Sequence, residues 1–368
     1  MKIIIVSNSA APSSNASSLQ IAKMCDNFEE INHKVSLILP NTGNKQNYFN
    51  YYNLKNNFKI IRLKYFKKFP LGINYYLFSF ISMIKILNFK PDLVITRNFF
   101  LSLLLSIIKQ KHILEVHDTM EIEGRVVRYL QKRLNFLNFS SLKKIISTTY
   151  TLKNFYKNYY KVDNKKIKVL HNASSINIFK KPKFLPKKKF KIGFFGTIYS
   201  SRGLELFISI SNKDKKNKYY IFGGSKKDIT KLKFQNKNKN LHLHHYLPQK
   251  KYISALKKVD ICLLPYSKKI TVAGDVGDIS NYTSPLKIFD YMKLGKIIIC
   301  SELKVLREVL NKKNSIMVKQ YNDPFEWLKE IENLKKRPFK QLEIRKNAFK
   351  FSNKEDSKWR VKNILKHI

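Results

Sequence analysis

The chain has 368 residues, with 72 Lys and Arg against 25 Asp and Glu, a formal net charge of +47, 43% hydrophobic residues and 13% aromatics. That length suits two domains with sizeable cores, and so many aromatic and β-branched residues exclude a disordered chain. The longest nearly apolar run, Phe99–Ile108, is half of the roughly 20 residues that a bilayer span needs. Three cysteines far apart, Cys25, Cys262 and Cys300, argue against a disulfide framework or a structural zinc site and fit a reducing cytosol.

Short apolar runs alternate with longer helical patterns along the chain. Lys2–Ser7 reads as a first buried strand, too short an apolar core for a signal peptide, and Ser18–Glu30 as a helix. Lys34–Leu39 and Phe58–Leu63 follow as strands. Ile73–Phe89 reads as an aromatic-rich helix, Asp92–Thr96 as a strand and Phe99–Ile108 as a helix. His112–Val116 and Lys144–Thr148 are further strands. This alternation predicts a parallel sheet with helices on both faces. Asn177–Lys189 breaks the pattern with Pro182, Pro186 and six lysines, the composition of a linker. The alternation restarts with strands at Phe190–Phe195, ending in Gly196, and at Tyr219–Phe222, closed by Gly223-Gly224. Leu241–His244, Ile261–Leu264 and Ile297–Cys300 complete the set. The expected architecture is α/β, with two doubly wound Rossmann-like domains facing a central cleft, where ligands sit beyond the carboxyl ends of the strands. The expected divisions are a first domain over 1–180, a linker over 181–189, a second domain over 190–350 and a C-terminal helix in 351–368. Packing of that helix back on the first domain is one option.

The positive excess is diffuse, +21 in residues 1–185 and +26 in the remainder. Only ten of the basic residues are Arg, the side chain that reads bases bidentately, so nucleic acid is not the expected partner. Lys, Asn, Ile, Phe and Tyr are abundant together, as AT-rich codons would give, which assigns most of the charge to solvated faces. An anionic membrane surface is the remaining candidate partner. Phe66–Phe89 mixes aromatics with Lys67, Lys68 and Lys85. A core-facing helix and a face dipping into the headgroup layer are both open for it.

The stretch Tyr282-Thr-Ser-Pro-Leu-Lys-Ile-Phe-Asp-Tyr-Met-Lys-Leu-Gly295 carries the most chemistry. Ser284 reads as an N-cap and Pro285 as the first helical residue. The start of that helix suits a phosphate, Lys287 adds a full charge, and Asp290 suits paired sugar hydroxyls. An ordinary capped helix packed on a sheet is the plainer alternative. His117, at the end of a predicted strand, is either a structural hydrogen-bonder or a ligand contact. Arg97, also after a strand, reads equally as a salt bridge or as an acceptor or phosphate contact. His242 and His244 share one strand face, but no carboxylate or Cys stands at ligand spacing, so no metal is expected. Asp275 and Asp278 read as loop polarity, with a place near the donor sugar also open.

The long stretch resembles the nucleotide-binding helix of family 4 retaining glycosyltransferases of the GT-B fold, in the branch with a Ser-Pro-Leu-Lys helix. Leu303-Lys-Val-Leu-Arg-Glu308 supplies that branch's following block. Phe194-Phe-Gly-Thr-Ile, with Arg202-Gly203, is similar to the family's phosphate loop. Asn240–Leu247 and Lys258–Pro265 resemble the base-binding strand and the helix–strand after it. Asp92–Asn98, Glu115-Val-His-Asp118 and His171-Asn172 match further blocks in the family's order, so the resemblance spans nearly the whole chain. It implies a catalytic role for His117, Arg202 and Lys287. It implies donor contacts from Gly196, Thr197, Tyr246, Leu247, Tyr282, Thr283, Ser284, Leu286 and Asp290, and acceptor contacts from Asn15 and Arg97. The first domain would bind the acceptor and the second the nucleotide sugar. Three departures stand out. Tyr282 occupies the position of the first acid of the family's acidic pair, Thr197 replaces a frequent Arg, and Ser13–Ser18 replaces a glycine-rich loop.

The expected function is transfer of a sugar, with retention, from a nucleotide diphosphate sugar to a glycan or lipid-linked acceptor in bacterial surface polysaccharide or lipopolysaccharide synthesis. The nucleotide sugar is a co-substrate, and no cofactor or metal is expected. The expected location is cytoplasmic, with peripheral attachment to the inner face of the membrane as an option. A nucleotide-sugar epimerase of the same architecture and a non-catalytic basic lipid- or nucleic-acid-binding protein remain as alternatives.

Overall fold

The computed structural model describes residues 1–366 apart from 67–68, 121–123, 179–181, 199, 237 and 272–277, with Leu71 and Ser200 described by their backbone alone. Lys67, Lys68 and Asp275, singled out above, thus lie outside the described residues. The chain divides into two compact units. One comprises Met1–Asn172, Tyr282–Ser284 and Ser357–Ile368, the other Ala173–Asn281 and Pro285–Asp356.

The first unit is built on a parallel sheet of β1 (Lys2–Val6), β2 (Lys34–Asn41), β3 (Lys59–Lys64), β4 (Leu93–Thr96), β5 (His112–Val116), β6 (Leu142–Ser147) and β7 (Ile167–Val169), in the order β3-β2-β1-β4-β5-β6-β7. Strands covered on both faces read as continuous apolar runs, and Ile3–Val6, Leu93–Thr96 and His112–Val116 are buried throughout. The connecting helices are α1 (Ala16–Glu30), α2 (Tyr48–Tyr52), α3 (Leu71–Phe89), α4 (Phe99–Ile107), α5 (Arg125–Leu134) and α6 (Tyr150–Tyr159). Their starts follow local chemistry. The Asn98 side chain accepts from the Leu101 amide at 2.8 Å to cap α4, and Thr149 does the same for Leu152 at 3.1 Å in α6.

The second unit repeats the plan. Its strands are β8 (Lys191–Phe195), β9 (Lys218–Phe222), β10 (Leu241–His244), β11 (Ile261–Leu264), β12 (Ile297–Ser301) and β13 (Ile316–Val318), ordered β10-β9-β8-β11-β12-β13 and all parallel. Its helices are α7 (Leu204–Lys213), α8 (Lys226–Gln235), α9 (Gln249–Lys258), α10 (Leu286–Lys293), α11 (Pro324–Lys336) and α12 (Pro338–Lys354). The last helix, α13 (Ser357–Leu365), belongs to the first unit, where Val361 and Ile364 share a core with Ile21, Cys25 and Phe28 of α1.

Strand order reverses between β1 and β4 in the first unit and between β8 and β11 in the second. In open α/β sheets ligands gather at such switch points. The loops there carry Ser7–Asn15 and Arg97 in one unit, and Gly196–Arg202 and Pro265–Tyr266 in the other. The segment read as a linker is tied to the second unit. The Lys187 amide donates to Gln341 Oε1 at 2.9 Å, Gln341 Nε2 returns to the Lys187 carbonyl at 3.0 Å, and Arg345 donates to the Leu185 carbonyl at 3.2 Å. Helix α12 thus satisfies backbone groups that no regular element would pair.

Candidate active site

In the second unit the site grows from the end of β8. Gly196 follows the strand with φ +141°, and a Cβ there would lie 2.5 Å from Lys287 Nζ. Glycine is what lets that ammonium reach the Phe195 carbonyl, to which it donates at 2.5 Å. A short 3-10 turn, Ser200–Arg202, and Gly203 follow. Gly203 adopts φ +73°, and a Cβ on it would strike the Pro265 carbonyl at 1.7 Å, so this loop lies directly on the end of β11. Tyr266, buried there, is the common floor. The Arg202 guanidinium sits over its ring at 5.2 Å and Lys287 Nζ at 5.6 Å. Arg202 is anchored through Nη2, which donates to the Thr271 carbonyl at 3.1 Å. Burial, with Arg202 nearby, lowers the Lys287 pKa from its ordinary value, against a raising contribution from Tyr266. Two cations thus meet at one aromatic ring, and among the described residues neither pairs with a carboxylate. Such a site is short of negative charge, which a diphosphate would supply.

Asp290, one turn on from Lys287 in α10, is held by two hydroxyls. Ser174 Oγ donates to its Oδ1 at 2.6 Å and Tyr252 Oη to its Oδ2 at 3.1 Å. A carboxylate has about four lone-pair sites, and these two bonds orient the group. Leu286 is half-buried and Thr197 exposed in the loop after Gly196. The Tyr246 amide donates to the Gly224 carbonyl at 3.0 Å, with its side chain 44% exposed. Leu247 borders a groove of about 480 Å³ between α9 and the β9–β10 face, together with Tyr220, Phe222, His244 and Lys251. His242 stacks on Tyr220 and His244 on Phe222, each at 4.8 Å. Asp278 accepts from the Ser280 amide at 2.9 Å, a loop contact.

One expectation about α10 is corrected. Ser284 is not its N-cap. The cap is Pro285, with ψ 119° and no side-chain bond, and the helix begins at Leu286. The Ser284 carbonyl is taken instead by Asn172 Nδ2 at 2.6 Å, which holds residues 282–284 on the first unit. Tyr282, grouped with the donor contacts, packs there against Phe155 at 5.8 Å and joins an aromatic cluster with Tyr156 and Tyr160. Thr283 is half-buried.

The first unit holds a second charged centre, at the ends of β4 and β5. Glu115 is buried on β5, and its Oε1 accepts from His117 Nε2 at 2.7 Å, Arg360 Nη2 at 2.9 Å and Arg97 Nη2 at 3.2 Å. Burial would raise the Glu115 pKa, but Arg360 and Arg97 outweigh it and hold the group well below the usual carboxylate range. Burial and Arg97 push the His117 imidazole down to about 4, against the opposing pull of Glu115. Arg97 is committed to its neighbours, donating also to Ser17 Oγ at 2.9 Å and Gln20 Oε1 at 2.8 Å. Asn15, the exposed N-cap of α1, makes no side-chain capping bond. The structure therefore gathers Arg202, Lys287, Gly196 and Asp290 in one unit and His117 and Arg97 in the other.

Sequence reasoning quoted Glu115 only as part of a motif and passed over Arg360, Tyr266, Ser174 and Tyr252. Glu115 left a signal, a lone acid inside the apolar run His112–Val116. Arg360 left none, because its partner stands 245 residues away.

Comparison with known proteins bears on the three readings left open. The family model described as Glycosyltransferase Family 4 matches residues 19–176, and that described as Glycosyl transferases group 1 matches residues 189–337. No curated protein matches the chain. Among solved structures, HepE from Anabaena in complex with UDP and glucose is similar, with 14% identity, TM-score 0.70, and 99% of this chain and 98% of that one covered. Sucrose-phosphate synthase from Thermosynechococcus elongatus is similar at 12% identity and TM-score 0.73, over 99% and 97% of the two chains. WaaG, a glycosyltransferase involved in lipopolysaccharide biosynthesis, is similar at 9% identity and TM-score 0.64, over 100% of both. At these identities the structural likeness speaks for the fold, and the matched families speak for the activity. Together, over both units, they place the chain among the glycosyltransferases of the GT-B fold.

Proposed function

We propose that this glycosyltransferase moves a sugar from a nucleotide diphosphate donor to a glycan or lipid-linked acceptor of the bacterial surface, with retention of configuration. The observation that carries the donor half is the convergence of Arg202 and Lys287 on Tyr266, two cations without a carboxylate partner among the described residues, with Gly196 leaving room for the Lys287 ammonium. They would hold the diphosphate and stabilise the charge that develops on it as it leaves, the strongest catalytic effect open to such a site. Asp290, fixed by Ser174 and Tyr252, would take the ribose hydroxyls. HepE has been crystallised with UDP and with UDP-glucose, which makes uridine donors the first to try. The acceptor oxygen would bond to the anomeric carbon on the face from which the diphosphate departs, and its proton would pass to the leaving phosphate oxygen. Both electron pairs are then accounted for, and no protein nucleophile is required. His117 would contact the donor sugar, and the environment of Arg97 would face the acceptor. The test is a panel of nucleotide sugars scored by thermal stabilisation and then by donor hydrolysis. One donor should raise the melting temperature and be slowly hydrolysed. Return of an isomerised sugar, or no stabilisation by any donor, would overturn the reading.

We further propose that the protein works at a membrane surface, where a lipid-linked acceptor resides. No helix among the described residues is long and apolar enough to cross a membrane, so attachment would be peripheral. The support is α3. Ile73, Phe80, Ile84 and Leu87 are all more than 40% exposed and recur at helical spacing along it. Lys85 is exposed on the same helix, and Lys59 lies over the Phe89 ring at 4.8 Å. An apolar stripe with flanking lysines suits the headgroup boundary.

A further inference from the structure

The environment of His117 dictates which of its nitrogens carries the proton. Glu115 is ionised, because two guanidinium groups face it and outweigh the cost of burial. An ionised carboxylate only accepts hydrogen bonds. His117 Nε2, at 2.7 Å from Glu115 Oε1, must therefore be the protonated nitrogen. The ring is neutral at physiological pH, so Nδ1 is left as a bare acceptor. Among the described residues Nδ1 has no partner. What keeps Glu115 in this role comes largely from the far end of the chain. Arg360, on α13, is 4% exposed and engaged through Nε and Nη2. Its Nη2 donates to Glu115 at 2.9 Å and to the Leu170 carbonyl at 3.4 Å, and its Nε donates to the His171 carbonyl at 2.9 Å. Three acceptors fix the plane of the guanidinium. Arg97 is the weaker holder, at 3.2 Å, and divides its donors among Glu115, Ser17 and Gln20. Without Arg360, the longer contact to Arg97 would be the remaining guanidinium facing Glu115 among the described residues, beside the neutral His117, in a site whose burial favours the protonated acid. A protonated Glu115 can donate to Nε2, and the imidazole proton would then move to Nδ1.

We propose that Arg360 is a positioning residue for His117. With Arg97 it keeps Glu115 an acceptor, and Glu115 holds His117 as the Nε2–H tautomer, with Nδ1 turned into the acceptor for a hydroxyl of the bound sugar. The role rests on the reading above, in which His117 contacts the donor sugar. The tautomer itself can be read without any substrate.

The experiment is 15N imidazole NMR on the full chain with labelled histidine, His117 being assigned by its loss in His117→Gln. In the parent at pH 7 His117 should show the neutral Nε2–H pattern. In Arg360→Met the Nδ1–H form should appear, alone or in exchange. Arg360→Lys, which restores the charge without the fork, should bring the parent pattern back in part. With the donor found by the panel, Arg360→Met should lower kcat at least tenfold while the donor KM stays within about threefold. Should Arg360→Met fail to fold, Arg360→Lys and Glu115→Gln carry the same readout. An Nδ1–H pattern in the parent, or a His117 tautomer indifferent to every one of these variants, overturns the proposal. A parent that transfers no sugar but shows the expected tautomers would sink the functional reading and leave the charge relay standing.

Discussion

Lys287→Met separates binding from stability. In the free protein Lys287 is a largely buried cation that donates to the Phe195 carbonyl at 2.5 Å and also interacts with the Tyr266 side chain. Arg202 and Lys287 lie over the same ring at 5.2 and 5.6 Å, so they are at most about 11 Å apart. At an effective dielectric of about 20 their repulsion is then about 1.5 kcal/mol or more. Losing a hydrogen bond from a charged donor costs about 1.5–3 kcal/mol. The two effects nearly cancel, and methionine also removes the burial of a charge from a site walled by Phe194 and Tyr266. The free variant should therefore keep its unfolding free energy within about 1 kcal/mol of the parent. Donor binding should respond quite differently. A desolvated contact between an ammonium and a diphosphate contributes about 2–5 kcal/mol, so the dissociation constant should rise roughly 30-fold to several thousand-fold. Urea unfolding of the free protein and calorimetric titration with the donor measure the two quantities. Gly196→Ala should imitate the binding defect, since its Cβ would displace the same ammonium. Donor affinity equal to the parent's in both variants would refute the assigned diphosphate site. A large loss of stability in Lys287→Met would instead show the cation to be structural.

Asp290→Asn should weaken donor binding by about 1–3 kcal/mol and raise the donor KM to match, because an amide cannot accept from both Ser174 and Tyr252 and still meet the ribose with a charged acceptor; binding equal to the parent's in a titration would reduce Asp290 to a helix residue. His112 is buried and its pKa is pushed down to about 4 by desolvation. Below its ordinary value near 6.5 the unfolded chain binds a proton that the native state refuses, so stability should be full above that pH and fall as pH drops towards 4, by up to about 3 kcal/mol. His112→Asn should flatten that slope in urea titrations across the same range, and an unchanged slope would contradict it. On the membrane face, Ile84→Asp and Phe80→Asp should lower recovery on anionic vesicles at high salt, where the apolar contact remains, whereas Lys85→Gln should act mainly at low salt, where charge attraction operates over about 8 Å or more. Equal recovery on neutral and anionic vesicles, or none on either, would return the lysines to solvated surface.

The strands were legible in the sequence because their signals are local. His112–Val116, Leu241–His244 and Ile261–Leu264 have the boundaries expected from their apolar runs, and most others agree within two residues. β7 and β13, three residues each, fell below the length at which a run of apolar residues differs from chance. The cluster at the end of β8 was legible as well, since Gly196, Arg202 and Lys287 each belong to a motif that stands out locally in the sequence. At Ser284-Pro285 the local rule failed. The pair has the composition of a helix start, but Asn172, 112 residues away, claims the Ser284 carbonyl and the helix begins later than a Ser cap would set it.

By itself, then, the sequence determined the alternation of strands and helices, the two parallel sheets and the motif residues at their ends. Burial periodicity and cap chemistry act over a few residues and need no knowledge of the rest. Tertiary structure alone decided how charge is distributed among those residues. Arg97, read equally as a salt bridge or as a ligand contact, pairs with Glu115 and donates to Ser17 and Gln20. Asp290 is oriented by Ser174 and Tyr252. His117 owes its state to Glu115 and, through it, to Arg360 at the end of the chain. The reason is physical. The ionisation and orientation of a buried group depend on the charges and donors within a few ångströms, and only folding brings those from distant parts of the chain to one place.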